Sequence, residues 1–133
     1  MEKLEGTVAS GTGEGAFFLG LEWVRAQIQS ACGFEPFPGT LNVVLTTPAS
    51  VLHWSEIRKG PGRPLAPPAS DFCGGRCFPV LVAGELPGAV LVPDVTRYGE
   101  ELLEVIAPVH LRSRLSLRDG DPINLTLLPA END

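Results

Sequence analysis

The chain has 133 residues, 44% hydrophobic and 20% charged, the length and balance of one soluble globular domain with a single core. Its formal net charge of −6 excludes the overall basic footprint that a general nucleic-acid binder needs, although Arg112 and Arg114 form a local cluster able to meet one phosphate group. Thirteen prolines and fifteen glycines favour many short elements joined by turns, and so a mainly β fold.

The charged start Met1-Glu-Lys-Leu-Glu5 runs straight into a strand pattern and does not read as a signal peptide. No apolar run approaches membrane-spanning length. Cys32, Cys73 and Cys77 are an odd set without secretory context, so free thiols and a cytoplasmic address are expected.

Residues 3–10 and 16–21 carry β-type patterns and are joined by Ser10-Gly-Thr-Gly-Glu-Gly15. This loop has almost no side chains, and Gly11, Gly13 and Gly15 leave room for a phosphate beside consecutive N–H groups. It lacks the Gly-Lys-Ser/Thr of a Walker A loop, and a strand rather than a helix is expected after it, unlike a dinucleotide fingerprint. Alone, a glycine-rich hairpin without a ligand explains it slightly better. Glu14 is an odd residue for a phosphate loop and suits backbone hydrogen bonding instead.

From Glu22 to Cys32 the period changes: Val24, Ile28, Ala31 and Cys32 fall at helical spacing, and Gly33 is a natural stop. Phe34-Glu-Pro-Phe-Pro-Gly39 is a rigid link into a strand at Thr40–Leu45. Thr40 and Asn42, two apart on a strand, share one face. Two neutral oxygens there suit magnesium, which prefers oxygen ligands and takes much of its shell from substrate phosphates. The plain alternative is a turn completed by local hydrogen bonds.

Residues 46–70 read as irregular, with Gly60-Pro-Gly-Arg-Pro-Leu-Ala-Pro-Pro68 a surface loop. Cys73-Gly-Gly-Arg-Cys77 looks like a hairpin turn before the strand Phe78–Val82. A short turn around Pro87 leads to a strand at Gly88–Pro93. Leu102–Ala107 is a further strand, Pro108–Leu115 a short helix, Asp119-Gly-Asp121 a tight turn, and Ile123–Leu128 the last strand. About six strands with two short helices fit a small closed β-barrel better than a parallel α/β sheet.

Within Leu102–Ala107, Glu104 interrupts an apolar run. A carboxylate among such neighbours suits a general base, but by alternation alone solvent exposure is the better reading. Arg112, in Val109-His-Leu-Arg112, has a fork suited to a phosphate or a base edge; a surface arginine on an amphipathic turn is the usual alternative. His53 and His110 are too few and scattered for a metal site, and Cys73 with Cys77 makes only one half of a zinc pattern.

Taken in order, these motifs resemble the archaeal-type CTP-dependent riboflavin kinases. The resemblance rests on Gly6-Thr-Val-Ala-Ser-Gly-Thr-Gly-Glu-Gly15, Gly33-Phe-Glu-Pro-Phe-Pro-Gly-Thr-Leu-Asn42, Glu104-Val-Ile-Ala-Pro-Val-His-Leu-Arg112 and Leu117-Arg-Asp-Gly-Asp121. It spans nearly the whole chain as a single domain, residues 1–133, apart from the stretch 46–76. It implies a six-stranded cradle-loop barrel of the swapped-hairpin type that transfers the γ-phosphoryl of CTP to the ribityl 5′-hydroxyl of riboflavin, giving CDP and FMN. By the family's pattern, Gly11, Thr12, Gly13, Glu14, Gly15 and Ala16 would wrap the nucleotide phosphates, and Val109, His110, Leu111 and Arg112 would line the nucleotide site. Thr40 and Asn42 would hold Mg2+, and Thr96 and Glu104 would contact the flavin; the chemistry of phosphoryl transfer, rather than the family's pattern, suggests that Glu104 orients or deprotonates the attacking hydroxyl. A monomer suffices for such a site. The competing readings are a kinase of another alcohol on the same scaffold, a flavin-binding module without turnover, and a DNA-binding barrel relative, the last opposed by the charge.

Overall fold

The computed structural model describes residues 3–10, 19–66, 74–94 and 101–129. Among these residues seven strands run in chain order: β1 (Lys3–Ala9), β2 (Leu41–Leu45), β3 (Arg63–Leu65), β4 (Gly75–Val82), β5 (Leu86–Pro93), β6 (Leu102–Ile106) and β7 (Pro122–Leu127). Helices α1 (Glu22–Cys32), α2 (Pro48–Ile57) and α3 (Leu111–Arg114) interrupt them. All the pairings are antiparallel, in the order β4-β5-β6-β2-β1-β7, and β7 returns to β4. Six strands therefore close into a barrel with no free edge between them. The short β3 pairs with the first half of β4, while β7 pairs with its last three residues.

Strict alternation divides the side chains between two cores. Leu4, Val8, Leu41, Val43, Val80, Val90, Leu103, Val105 and Leu125 point into the barrel and fill it. The intervening positions face outward, and part of that outer wall is itself buried: Cys77, Ala89, Leu91 and Ile106 pack against Leu19, Val24 and Ile28 on the α1 side and Leu65 of β3. Helix α1 ends where Gly33 adopts φ 81° and donates its N–H to Gln29 O at 3.0 Å, the left-handed stop expected from the sequence. Gly6 is required by close approach: a Cβ there would lie 2.5 Å from the Val44 carbonyl oxygen of the neighbouring strand.

Several sequence expectations need correction. Leu19–Leu21 are not strand: Leu19 is helical and a turn at Gly20 leads into α1, while residues 16–18 lie outside the described set. The irregular stretch after Thr46 contains α2, started by the Thr47 hydroxyl accepting from Ser50 N at 3.1 Å with Pro48 in the first turn. Its Trp54 is buried against Phe78, ring centroids 5.3 Å apart at 84°, and joins the barrel core. The proline-rich stretch supplies β3, where Pro64 sits on an edge that spares its missing N–H. Gly75–Cys77 belong to β4 rather than to a hairpin turn. The β4–β5 turn is Ala83–Glu85, with Ala83 and Gly84 at φ 54° and 73°, and Pro87 is inside β5. The last helix is shorter than Pro108–Leu115, comprising Leu111–Arg114 only.

Candidate functional site

Strand register builds the centre of the site. Ala9, Asn42, Glu104, Leu91, Cys77 and Arg63 are successive cross-strand partners from β1 to β3, so their side chains form one row on the outer wall. Leu91 and Cys77 belong to the core beneath α1, and Glu104, next in the row, is only 1% exposed. The solvent-facing reading of Glu104 is thus wrong: alternation puts it outside the barrel, but that outside is not wet. Thr40, just before β2, donates its hydroxyl to Glu104 Oε1 at 3.1 Å. Asn42, opposite Glu104 and 7% exposed, has a buried Oδ1 with no hydrogen-bond partner among the described residues.

This donor set suits a hard cation. The unpaired Asn42 Oδ1 is a desolvated acceptor whose cost a ligand would relieve. Thr40 uses its proton toward Glu104 and keeps its oxygen lone pairs. Two neutral oxygens beside a carboxylate fit an ion that draws the rest of its shell from water and phosphate. No cluster of three His, Cys, Asp or Glu side chains offers a rival metal site among the described residues.

Beside this cluster lies a cavity of about 190 Å³, lined by Phe37–Leu41, Val105, Ala107 and Val109–Arg112. The rigid link is fixed there by Phe37 N–H donating to Ala107 O at 2.8 Å and by the Phe37 ring over His110, centroids 4.9 Å apart. His110 Nδ1 is 2.6 Å from Ser113 Oγ. Thr40, Val109, His110, Leu111 and Arg112 therefore share one cavity wall, while Glu104 reaches it through Thr40.

Arg112 ties the cavity wall to a polar clamp. Asp119 Oδ1 accepts from Arg112 Nη2 at 2.6 Å, and its Oδ2 accepts from the Ser10 hydroxyl at 2.6 Å. Arg112 Nη2 also donates to Ala9 O at 3.2 Å. The Ser10 bond first, and Arg112 second, hold the Asp119 carboxyl below the usual carboxylate range. The following turn is pinned by Gly120 N–H to Val8 O at 2.7 Å and Val8 N–H to Asp121 O at 2.9 Å. Reading the residues one by one missed Asp119 as the partner of Arg112; the only signal was the Leu117-Arg-Asp-Gly-Asp121 motif itself. Gly11, Thr12, Gly13, Glu14, Gly15, Ala16 and Thr96 lie outside the described residues, although β1 ends at Ala9 directly opposite Asn42.

The chain is thus a small closed-barrel protein that carries its polar site on the outer wall, between a buried carboxylate and an open cavity. The family model described as CTP-dep_RFKase (Domain of unknown function DUF120) matches residues 8–127. A protein named riboflavin kinase from Methanosarcina mazei is 42% identical over 124 residues, covering 91% of this chain and 54% of the relative. Another of that name from Methanocella arvoryzae is 39% identical over 128 residues, covering 93% and 56%. A third, from Saccharolobus solfataricus, is 34% identical over 126 residues, covering 92% and 72%. The chain belongs to the archaeal-type CTP-dependent riboflavin kinase family. It spans about half the length of most of the curated relatives it matches. Among the described residues no helix is long and apolar enough to cross a membrane.

Proposed function

We propose that the chain is a riboflavin kinase that takes its phosphoryl group from CTP and releases FMN and CDP. The observation that carries this reading is the alignment of Thr40, the unpaired Asn42 Oδ1 and Glu104 on one wall beside the Val109–Arg112 cavity. Family membership supports the same acceptor. The six-stranded ring supports treating residues 1–133 as one kinase unit.

In this reading Thr40 and Asn42 hold Mg2+, which neutralises phosphate charge when bound. The amides of Gly11–Ala16 wrap the phosphate oxygens, stabilising charge as it develops. Val109–Arg112 and the Phe37–His110 pair hold the nucleotide in the cavity. Thr96 and Glu104 position the flavin. The ribityl 5′-oxygen attacks the γ-phosphorus, the bond to the bridging oxygen of the departing CDP breaks, and the hydroxyl proton passes to the Glu104 carboxylate. The Thr40 bond fixes Oε1 of that carboxylate, so its orientation is set before substrate arrives.

Chromatographic detection of FMN from riboflavin, magnesium and either CTP or ATP tests the reading directly. FMN is expected with CTP alone. Glu104→Gln should lose most turnover while CTP binding survives. Absence of FMN with both donors, in protein that still binds CTP, would redirect the search to another alcohol. Undiminished turnover in Glu104→Gln would remove the base role.

A further inference from the structure

The outer core contains a feature that phosphoryl transfer does not use. Cys32 is the last residue of α1 and is partly exposed; Cys77, in the first half of β4, is fully buried. They stand 45 residues apart in sequence, yet their sulfurs meet at 2.8 Å, closer than ordinary non-bonded contact. Cys77 shares its buried cluster with Ile28, Leu65 and Leu91, and its sulfur meets Cys32 at the helix end. Arg63, the β3 partner of Cys77, reaches over the same helix end and donates to Ala31 O.

We propose that Cys32 and Cys77 form an oxidation site, where a hydroperoxide converts the two thiols into a disulfide tying the end of α1 to β4. The two sulfurs have different parts. The hydrogen bond with Cys77 holds the Cys32 thiol below its ordinary range, with the positive charge of Arg63 adding to the effect against partial burial. The same contact pushes the Cys77 thiol the opposite way, and burial adds to this. Cys32, the sulfur that solvent can reach, is the attacking one and the buried Cys77 the resolving one. The Cys32 thiolate attacks the hydroperoxide, the O–O bond breaks, and the alcohol or water leaves with one proton. Cys32 then carries a sulfenic acid. The Cys77 sulfur attacks Cys32, the S–O bond breaks, and water leaves with the Cys77 proton. Two thiols and one hydroperoxide yield one disulfide, one alcohol or water, and one water.

The helix end is the place where such a bond acts. Cys32 adjoins Gly33 and the link that carries Phe37 into the cavity wall, and Cys77 lies in the same cross-strand row as Glu104. The cross-link closes a long loop and should raise the melting temperature by roughly 5 °C or more.

The folded protein is treated with excess hydrogen peroxide, then denatured, and its free thiols are titrated. The count should fall from three to one and return to three with dithiothreitol. Peptide mapping should find Cys32 joined to Cys77, and Cys73→Ser should leave that link intact. Cys77→Ser should stop at a Cys32 sulfenic acid that dimedone captures. A thiol count unchanged at three, a cross-link through Cys73, or Cys32 advancing to sulfinic acid while Cys77 stays free would each overturn the proposal. The wild-type titration and mapping need no variant, and none of these readouts depends on kinase activity.

Discussion

Thr40→Val is the sharpest test of how the site is organised, because valine keeps the shape of threonine and deletes only the hydroxyl. That hydroxyl is 3.1 Å from a carboxylate oxygen of Glu104, a residue only 1% exposed. A hydrogen bond to a charged group is worth about 1.5–3 kcal/mol. Unfolding entropy of about 2.1 cal/mol/K per residue gives this chain about 0.28 kcal/mol/K, so the melting temperature should fall by roughly 5–10 °C without any ligand. In a Glu104→Gln background the same hydroxyl meets a neutral amide, and its loss should cost only about 0.5–1.5 kcal/mol. The assay is thermal unfolding of the wild type, both single variants and the double variant in metal-free buffer. Equal costs of Thr40→Val in the two backgrounds, or a melting temperature unchanged within about 1 °C, would refute the view that Thr40 fixes the carboxylate.

Two further outcomes follow from the clamp and the barrel wall. The Ser10 hydroxyl and Arg112 lower the Asp119 pKa in the fold, so its contribution to stability is present above the ordinary aspartate pKa of about 3.9 and is lost as pH falls through the lowered folded value. Asp119→Asn should therefore unfold at lower urea than the wild type at pH 7, with the gap closing in acid below about pH 4; a gap of equal size at both pH values would show that the carboxylate charge is not responsible. Gly6→Ala would put a methyl 2.5 Å from the Val44 carbonyl oxygen, so β1 and β2 must separate at a loss of about 1–3 kcal/mol, read from the denaturant midpoint; wild-type stability would show that the strands yield freely.

The six strands that close the barrel were all legible, β1 and β7 from their partial alternation and β4, β5 and β6 as short apolar runs bounded by turn residues, buried on both faces. What alternation could not reveal was the state of the other face. Glu104 lies outside the barrel as its position implies, yet it is buried there, a tertiary fact invisible in a five-residue window. The Thr40 and Asn42 pair was readable from spacing; their meeting with Glu104 depended on β2–β6 register. Helix α2 was missed for a different reason: the prolines that follow suggested an irregular stretch, although Thr47-Pro48 is itself a helix start. The Cys32–Cys77 and Ser10–Asp119 contacts join residues 45 and 109 apart, distances across which local pattern carries no signal.

The pairing of β1 with β7 also governs the order in which the molecule can assemble. The first strand has two neighbours, β2 and β7, and the second of these is the last of the described strands. During synthesis β1 must wait with one side unsatisfied until residues 122–127 are available. The entropy of closing so long a loop is met before the final ladder can form, which places such a topology among the slower-folding small proteins. The Ser10–Asp119 and Gly120–Val8 contacts span the same closure, so the candidate catalytic wall matures together with the ring rather than ahead of it.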